Sequence, residues 1–358
     1  MTIAPGIIKF FRTRLHSWHT GHNSRQLPWK GEKDPYRIWL SEIILQQTRA
    51  LQGLPYYESF TGTYPTVQAL AAAADEDVFR LWQGLGYYNR CKNMLATARY
   101  IATELGGHFP RTHEGILALK GVGPYTAAAI SSFAYGLPHA VVDGNVYRVL
   151  SRFLGIDTPF DTTAGKHQFA TAAQLLLDET DSAAHNQAIM DLGATICTPA
   201  APRCADCPLH SKCFAAAKDM TALLPVRSKK IVVKERFFNY IFLLHDGKVW
   251  IEKRGAGDIW ESLHQPYLAE TEKAVDVSVL RQDVLFDNKS IRPHELTDAG
   301  MAKQRLTHQL IHCRFYIMHL TDMPMPNGTA GMWLSISELK KLAFPKILVS
   351  FLRNNLYF

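Results

Sequence analysis

The sequence contains a run of closely spaced cysteines, Cys197, Cys204, Cys207 and Cys213, in the pattern C-x6-C-x2-C-x5-C. Thiols at this spacing hold either a metal or disulfides, so the run limits how this segment can fold. A zinc ribbon usually pairs two C-x2-C knuckles, whereas this run has a single knuckle between longer gaps. The pattern therefore favours an iron–sulfur cluster with four thiolate ligands, and a zinc knuckle is the alternative.

Cysteine usage and charge exclude several classes of protein. The chain has 6 cysteines in 358 residues, too few for a disulfide scaffold, which indicates a reducing compartment. It shows no signal peptide and no uninterrupted apolar run of ~18 residues, so we expect a soluble, intracellular protein. The formal charge of +7 suits a polyanionic partner, although so small an excess is weak evidence by itself.

The pattern of the sequence changes between its two parts. The first part is helical in periodicity, and after the basic stretch Arg227–Arg236 the periodicity becomes that of strands. We expect a mostly helical domain with a four-cysteine loop over residues 1–222, a basic linker over 223–236 and a smaller α+β domain over 237–358. The last part is predicted to contain a β-hairpin at Phe237–Leu244 and Val249–Lys253, a strand at Cys313–Leu320, and helices at Ile336–Leu342 and Pro345–Leu352.

Glu42 lies in the middle of a predicted helix that starts with Asp34 as N-cap and Pro35 at the first helical position. Large side chains lie one turn before and one turn after it: Ile38, Trp39, Leu45 and Gln46. A carboxylate in such surroundings loses water, which raises its pKa and suits a general acid. The alternative is a surface glutamate on an amphipathic helix.

A glycine turn joins two further predicted helices, with Gly121 and Gly123 between Leu119 and Pro124. The free N–H groups and the dipole at the start of the second helix form an anion site. A DNA phosphate bound there would be held without any reading of base sequence. A G-x-G turn alone is also common as a simple tight connection.

Asp143 precedes the next predicted helix, which starts near Asn145. One interpretation is a helix N-cap. The other is a second carboxylate that the helix-end amides keep ionised while Glu42 is protonated. Two carboxylates with opposed pKa values can cleave a glycosidic bond through an oxocarbenium-like state.

Two adjacent tyrosines, Tyr87 and Tyr88, follow a glycine turn and precede Arg90. Exposed aromatic side chains beside a basic residue can wedge between bases or stack on them. Tyrosines of the protein core are the alternative.

Together these motifs resemble the MutY family of adenine DNA glycosylases, part of the helix-hairpin-helix superfamily that includes endonuclease III. The motifs occur in the order of the family: Leu27–Trp29, Trp39–Glu42, Leu45–Thr48, Gly84–Tyr88, the glycine turn, Val142–Asn145, Asn186–Ala194 and the four cysteines. The resemblance implies a monofunctional glycosylase that removes adenine opposite 8-oxoguanine or guanine in duplex DNA. The target base must leave the stack, which costs less at a mispair.

The resemblance also implies roles for residues of the reaction centre. Glu42 matches the acid that protonates adenine at N7, and Asp143 matches the carboxylate that stabilises or captures the sugar cation. Tyr125 and Asn145 match residues that support this centre. Tyr125 stands where endonuclease III has a lysine that forms a Schiff base, so strong lyase activity is not expected.

Further residues match positions at which the family contacts DNA and its cofactor. The matches are Gln47 and Tyr87, which insert at the mispair; Thr48, near the oxidised guanine; Trp29 and Gln187, in the adenine pocket; and Gly121 and Gly123, at a phosphate. The four cysteines match ligands of one 4Fe–4S cluster, which orders a loop that carries Arg203 and Lys212 toward the DNA backbone.

The C-terminal part resembles the Nudix-like domain with which the family recognises 8-oxoguanine. It lacks the R-E-x-x-E-E run that holds magnesium in Nudix hydrolases, so nucleotide hydrolysis is not expected. The family often has Phe-Ser-His in the loop that probes the oxidised base, and this chain has Leu306, Thr307 and His308. Thr307 and His308 are therefore predicted to contact that base, and strand residues are the alternative.

Two other functions are compatible with parts of this pattern. An endonuclease III-like glycosylase/lyase for oxidised pyrimidines is disfavoured by Tyr125 and by the additional domain. A non-catalytic iron–sulfur protein that binds DNA or senses redox state is disfavoured by the presence of both Glu42 and Asp143. The resemblance further predicts a monomer in the bacterial cytoplasm, associated with the nucleoid and not with a membrane.

Overall fold

The computed structural model describes residues 2–23, 25–46, 48–228, 232–275, 280, 296–321, 323 and 330–355. The chain divides into two compact units, Met1–Ala72 with Asn93–Lys230, and Ala73–Lys92 with Ile231–Phe358. The first unit is helical and the second contains a β-sheet, as the sequence predicts. The boundaries at residues 222 and 236 remain a prediction, although strand β1 already begins at Lys234, inside the expected linker.

Helices account for most of the first part of the chain. They are α1 Pro5–His22, α2 Pro35–Leu45, α3 Ala50–Thr63, α4 Val67–Ala72, α5 Asp75–Leu81, α6 Tyr88–Glu104, α7 His113–Leu117, α8 Pro124–Tyr135, α9 Gly144–Leu154, α10 Thr163–Leu176, α11 Ser182–Thr195 and α12 Phe214–Ala217. Short 3₁₀ turns at Cys204–Asp206 and His210–Lys212 lie within the cysteine run. No helix in the described residues is long and apolar enough to cross a membrane.

The helix that carries Glu42 starts where the sequence predicts. The Asp34 carboxylate accepts a hydrogen bond from the Tyr36 N–H at 2.9 Å, and Pro35 takes the first helical position, where no N–H is needed. A different helix, α9, ends at Gly155, which has φ +70°, a conformation that glycine adopts without steric cost.

The core of the helical unit fixes the position of α9. Its buried apolar residues recur at helical spacing: Val146, Val149, Leu150 and Phe153. They pack with Phe11 of α1, Phe169 of α10 and Leu192 of α11, none of which is exposed. Burial of each such side chain contributes roughly 1.5–3 kcal/mol relative to exposure. The beginning of α9, which Asp143 caps, is therefore held by the core.

The second unit is built around a mixed sheet. Its strands are β1 Lys234–His245, β2 Lys248–Lys253, β3 His264–Gln265, β4 Tyr267–Thr271, β5 Thr297–Arg305, β6 Gln309–His319 and β7 Gly331–Ser335. The main order is β3-β2-β1-β6-β5, with β4 paired to β1 and β7 paired to β2. The strands β1 and β6 are parallel, and the remaining pairs are antiparallel.

Helices α13 (Ile336–Leu339) and α14 (Lys346–Asn355) complete this unit. The Phe351 ring of α14 stacks on Phe242 of β1 and on Phe315 of β6, with centroid distances of 4.8 and 4.3 Å. The predicted hairpin is confirmed, since Leu244 of β1 pairs with Val249 of β2. The predicted strand 313–320 and both predicted helices are also present, although α13 is shorter than expected.

Candidate active site

A cleft of about 1040 Å³ opens in the helical unit, between α2, α8, α9, α11 and the segment that precedes α2. It is lined by many of the residues singled out in the sequence: Trp29, Glu42, Thr48, Tyr125, Asp143, Asn145 and Gln187. Gln47 lies outside the described residues. A concave site with a few converging polar groups is the usual form of a ligand pocket.

Glu42 projects from the middle of α2 and is only 8% exposed. Burial raises the pKa of this carboxyl to about 7; the nearby Asp143 adds to the rise, and a hydrogen bond with the Tyr125 hydroxyl opposes it. The desolvation that the sequence predicts is therefore present. At neutral pH a substantial fraction of Glu42 carries the proton that a general acid needs.

Asp143 caps α9 and also faces the cleft, so the two interpretations of this residue are compatible. Its Oδ1 accepts hydrogen bonds from the N–H groups of Asn145 and Val146, both at 2.8 Å. Its Oδ2 accepts a third from the Asn145 side-chain amide at 2.7 Å. The anion is thus supported by three donors at the beginning of the helix.

The sequence analysis expected the pKa values of the two carboxyls to be opposed. In the structure both pKa values are raised. Burial raises the pKa of Asp143 as well, because this side chain is also shielded from water. Its hydrogen bonds and the Arg148 guanidinium oppose the rise. Glu42 has only the Tyr125 hydroxyl in that role. The difference between the two carboxyls lies in how many groups support the charged form.

Tyr125 stands near the beginning of α8 and lines the cleft together with the two carboxyls. Burial raises the pKa of its hydroxyl well above the ordinary value, and both Glu42 and Asp143 add to the rise. The hydroxyl therefore keeps its proton and makes a hydrogen bond with Glu42. This position holds no amine that could attack a sugar.

Arg148 is a residue of the site that the sequence analysis missed. Its Nη2 donates to Asn145 Oδ1 at 2.8 Å and to the Gly193 carbonyl at 2.6 Å. Its Nε donates to the Cys197 carbonyl at 2.6 Å. The same guanidinium thus holds the amide that supports Asp143 and the first residue of the cysteine run. The sequence signal that could have revealed Arg148 is its spacing from Arg152, four residues later on the same helix.

Gly193 allows α11 to approach the start of α9 at backbone distance. A Cβ at this position would lie 2.6 Å from the Asn145 Cβ and 2.9 Å from the Asn145 carbonyl oxygen. Real Cβ atoms do not come so close to such atoms. Close packing against glycine therefore contributes to the position of Asn145.

The four cysteines line one small cavity together with Arg152 and His210. Arg152 is 3% exposed, and its Nη1 donates to Cys197 Sγ at 3.3 Å. In the described residues, no group of three or more His, Cys, Asp or Glu side chains is arranged to hold a metal ion. Four thiols around one cavity are the donor set that a four-cysteine iron–sulfur cluster requires.

The predicted glycine turn lies between α7 and α8. Gly121 has φ +79°, and a Cβ there would lie 2.8 Å from the Asn93 Cβ, so the position requires glycine. The Thr97 hydroxyl donates to the Lys120 carbonyl at 2.7 Å and holds the turn. Gly123 is the N-cap of α8 and makes no side-chain cap, which leaves the first N–H groups of the helix available to an anion.

Tyr87, Thr307 and His308 belong to the second unit and are exposed. Thr307 and His308 lie in the turn between β5 and β6 and are not strand residues. The Thr307 hydroxyl forms a hydrogen bond with the Tyr87 hydroxyl. Tyr87 is 49% exposed, whereas its neighbour Tyr88 is 6% exposed and belongs to the core. The structure thus separates the two tyrosines that the sequence presents as a pair.

Two family models match parts of the chain. Residues 40–170 match the HhH-GPD superfamily base excision DNA repair protein, and residues 239–354 match the NUDIX domain. The first match includes Glu42, Tyr125 and Asp143, and the second includes the sheet.

Curated relatives match most of the chain. An adenine DNA glycosylase of Buchnera aphidicola subsp. Acyrthosiphon pisum is 32% identical over 351 residues, which cover 96% of this chain and 98% of the relative. That of Buchnera aphidicola subsp. Schizaphis graminum is 33% identical and covers 72% of this chain and 74% of its own length. The Homo sapiens adenine DNA glycosylase is 44% identical over 214 residues, 57% of this chain and 39% of the relative.

Solved structures resemble the chain over its helical part. A thermostable thymine-DNA glycosylase is 28% identical with a TM-score of 0.55, over 60% of this chain and 98% of that one. A trapped endonuclease III–DNA covalent intermediate is 19% identical with a TM-score of 0.52, over 62% of this chain and 100% of that one. The second likeness concerns the fold alone.

Proposed function

This chain belongs to the adenine DNA glycosylase family, and from that premise we propose that it excises adenine mispaired with 8-oxoguanine or guanine in duplex DNA. The reaction is hydrolysis of the N-glycosidic bond. The observation that carries the proposal is the buried Glu42, with a pKa of about 7, in one cleft with the hydrogen-bonded Asp143. A proton donor and a supported anion are the two groups that such a cleavage needs.

The chemistry follows from the positions of these groups. Glu42 protonates N7 of the extruded adenine, so the base leaves as a neutral molecule with the electrons of the C1′–N9 bond. Asp143 stabilises the sugar cation that forms, or captures it, before water adds at C1′. Asn145 holds Asp143 through two hydrogen bonds, and Tyr125 orients Glu42. Without an amine at Tyr125, the sugar remains as an abasic site and the strand stays intact.

Other parts of the helical unit bind the substrate in this proposal. Trp29 and Gln187 line the cleft and contact the flipped adenine, and Thr48 lies near the oxidised guanine. The glycine turn with Gly121 and Gly123 presents the start of α8 to a phosphate.

The cysteine run would hold one 4Fe–4S cluster through Cys197, Cys204, Cys207 and Cys213. The support for this is that the four thiols line a common cavity, in a run whose spacing favours a cluster. The cluster would act as a structural staple for the loop that presents Arg203 and Lys212 to the DNA backbone. Base removal itself uses the side chains of the cleft.

The second unit recognises the partner of the adenine in this proposal. Thr307 and His308 are exposed at the β5–β6 turn, and the Thr307 hydroxyl meets that of Tyr87, which inserts at the mispair. This contact supports the proposal that a loop that probes the base acts together with a side chain that stacks on bases. We propose that the protein acts as a monomer in a bacterial cytoplasm.

The test of this function is single-turnover cleavage of duplexes that carry one adenine opposite 8-oxoguanine, guanine or thymine. Each reaction is developed with and without alkali. We expect strand breaks only after alkali, fastest opposite 8-oxoguanine. No loss of adenine would refute the function. Breaks without alkali on an oxidised-pyrimidine duplex would favour a glycosylase/lyase, and inertness on every duplex a DNA-binding protein without enzymatic activity.

The rate of excision is expected to depend on pH through both carboxyls. Glu42 must be protonated, so above its pKa of about 7 the rate should fall about tenfold per pH unit. Asp143 must be ionised, so the rate should also fall in acid, at a pH above the ordinary range of an aspartate, because burial raises its pKa. Single-turnover rates measured across the range of stability check this bell shape, and a flat profile through neutrality would contradict it.

Cluster ligation predicts which cysteines matter for iron content. Cys207→Ala and Cys213→Ala should lose bound iron and the brown colour of the protein. Cys91→Ala and Cys313→Ala serve as matched controls, because these buried thiols belong to the second unit and not to the run. Iron and zinc measured on each purified variant decide the point. Equal iron in all four variants, or zinc in place of iron, would exclude the assignment.

Thr307→Ala is expected to reduce the preference for 8-oxoguanine over guanine opposite adenine by about fivefold, the worth of one hydrogen bond. Thr307 is exposed, so the fold should not change. Thr297→Ala, at the other end of β5, is the matched control. The ratio of single-turnover rates on the two duplexes gives the answer. An unchanged ratio would mean that another residue reads the oxidised base.

A further inference from the structure

One wall of the cleft is a segment without regular secondary structure. The described residues between α1 and α2 form turns, and they include Trp29, Lys30 and Arg25 of the cleft lining. The Trp29 ring meets Tyr57 edge-on at a centroid distance of 5.5 Å. A segment of this kind has few backbone hydrogen bonds of its own, so side-chain contacts must hold it in place.

The principal contact of this segment is with Asp191 of α11, whose side chain is fully buried. Asp191 Oδ1 accepts a hydrogen bond from Arg25 Nη1 at 2.9 Å. Its Oδ2 accepts one from Asn23 Nδ2 at 2.7 Å and lies 2.8 Å from Lys30 Nζ. A single carboxylate therefore binds three side chains before α2: those of Asn23, Arg25 and Lys30, the last of which directly follows Trp29.

The segment is also closed on itself. Lys30 Nζ donates to the Arg25 carbonyl oxygen at 2.5 Å, so the ammonium joins the backbone of the segment to the buried carboxylate. Burial alone would raise the pKa of Asp191, but Lys30, Asn23 and Arg25 bring it below the ordinary value. The carboxylate is ionised, and its charge is what balances the two cations of the wall.

The helix that supplies Asp191 also supplies part of the cleft lining. Gln187 lies four residues before Asp191 on α11 and lines the cleft, so both side chains project from one side of the helix. The contact between Asp191 of α11 and Lys30, which directly follows Trp29, therefore limits how far Trp29 can lie from Gln187. Both residues are proposed above to contact the flipped adenine.

We infer that Asp191 is a positioning residue for the adenine pocket, which holds residues 25–33, and with them Trp29, against α11 by pairing with Arg25 and Lys30. The inference rests on the proposed function for the identity of the base. Asp191 does not line the cleft and makes no contact with the substrate in this scheme. It acts through Trp29.

The test combines Asp191→Asn with Trp29→Ala in a double-mutant cycle of single-turnover excision. Asparagine keeps the shape of Asp191 and removes the charge that Arg25 and Lys30 require. We expect Asp191→Asn to slow excision about 10- to 100-fold with duplex affinity retained, the cost of a displaced pocket wall. The double variant should be no slower than Trp29→Ala. Losses that multiply would overturn the inference.

The matched control is Asp178→Asn, the same chemical change in the loop before α11, where the carboxylate accepts hydrogen bonds from Thr180, two residues away. It should excise adenine at the wild-type rate. If Asp191→Asn does not fold, Lys30→Met opens the same contact from its exposed side, since Lys30 retains 16% exposure. It should show the same lack of further loss in combination with Trp29→Ala, and a multiplied loss would again count against the inference.

Hydrogen exchange separates this inference from the proposed function. The amides of residues 25–33 should exchange faster in Asp191→Asn than in wild type and Asp178→Asn, whether or not the protein excises adenine. Wild-type protein that leaves adenine in place would refute the function. Unchanged exchange in this segment would refute the role of Asp191.

Discussion

Glu42→Gln is expected to lower the rate of adenine excision by about 10²- to 10⁴-fold, the usual contribution of a positioned general acid. Glutamine fills the same space on α2 and can still form a hydrogen bond with Tyr125, but it has no proton to transfer to the base. Affinity for the mispaired duplex should be retained, since the binding residues are untouched. Single-turnover rates and duplex titrations of the variant measure both quantities.

The same variant provides its own control for folding. In the folded protein the pKa of Glu42 is about 7, against an ordinary value of 4.5. Between these values the folded state binds more protons than the unfolded state, so wild-type stability falls as pH rises. Glutamine removes this loss, on the order of 3 kcal/mol above pH 7. The variant should therefore melt at a higher temperature than wild type at pH 8, with the difference absent in acid. An inactive variant that melts lower at pH 8 would contradict this account.

Asp143→Asn is expected to slow base removal at least about 100-fold while mispair affinity is largely retained. Asparagine is as good an N-cap as aspartate, and its Oδ1 can still accept from the N–H groups of Asn145 and Val146. The negative charge that would stabilise the sugar cation is absent. The helix should therefore persist while the reaction fails, which single-turnover rates and thermal melting can separate.

Asp34→Asn is the matched control for this change. Asp34 caps α2 as Asp143 caps α9, but it does not line the cleft. Both substitutions alter a helix cap in the same way, and only one removes a charge from the cleft. Equal loss of activity in the two variants, or loss of duplex binding in Asp143→Asn, would refute the role proposed for Asp143.

Local signals made the helical elements of the site predictable. Asp34 and Pro35 mark the start of α2, and Asp143 marks that of α9, because capping depends on residues adjacent in sequence. The hairpin of β1 and β2 was predictable for the same reason. Strand β5 was missed, since Thr297–Arg305 is mostly polar and exposed, and its pairing with β6 supplies what its composition lacks.

The reaction centre was predictable in part. The burial of Glu42 could be inferred from its neighbours on the helix. The rise in the pKa of Asp143 could not, because it is caused by burial, which depends on tertiary packing. Arg148 and Asp191 look in the sequence like surface charges, and only tertiary packing shows that each is held by several partners. The roles proposed for the site residues stay predictions until the variants are measured.

The close approach of Gly193 to Asn145 affects how natural variants of this protein should be interpreted. An alanine at this position adds one methyl group, leaves charge and polarity unchanged, and would be scored as conservative by any comparison of residue types. In the molecule that methyl group would displace the amide that supports Asp143. Under the proposed function, this change should slow adenine excision as a change of Asp143 itself would, although every residue of the proposed chemistry would still be present.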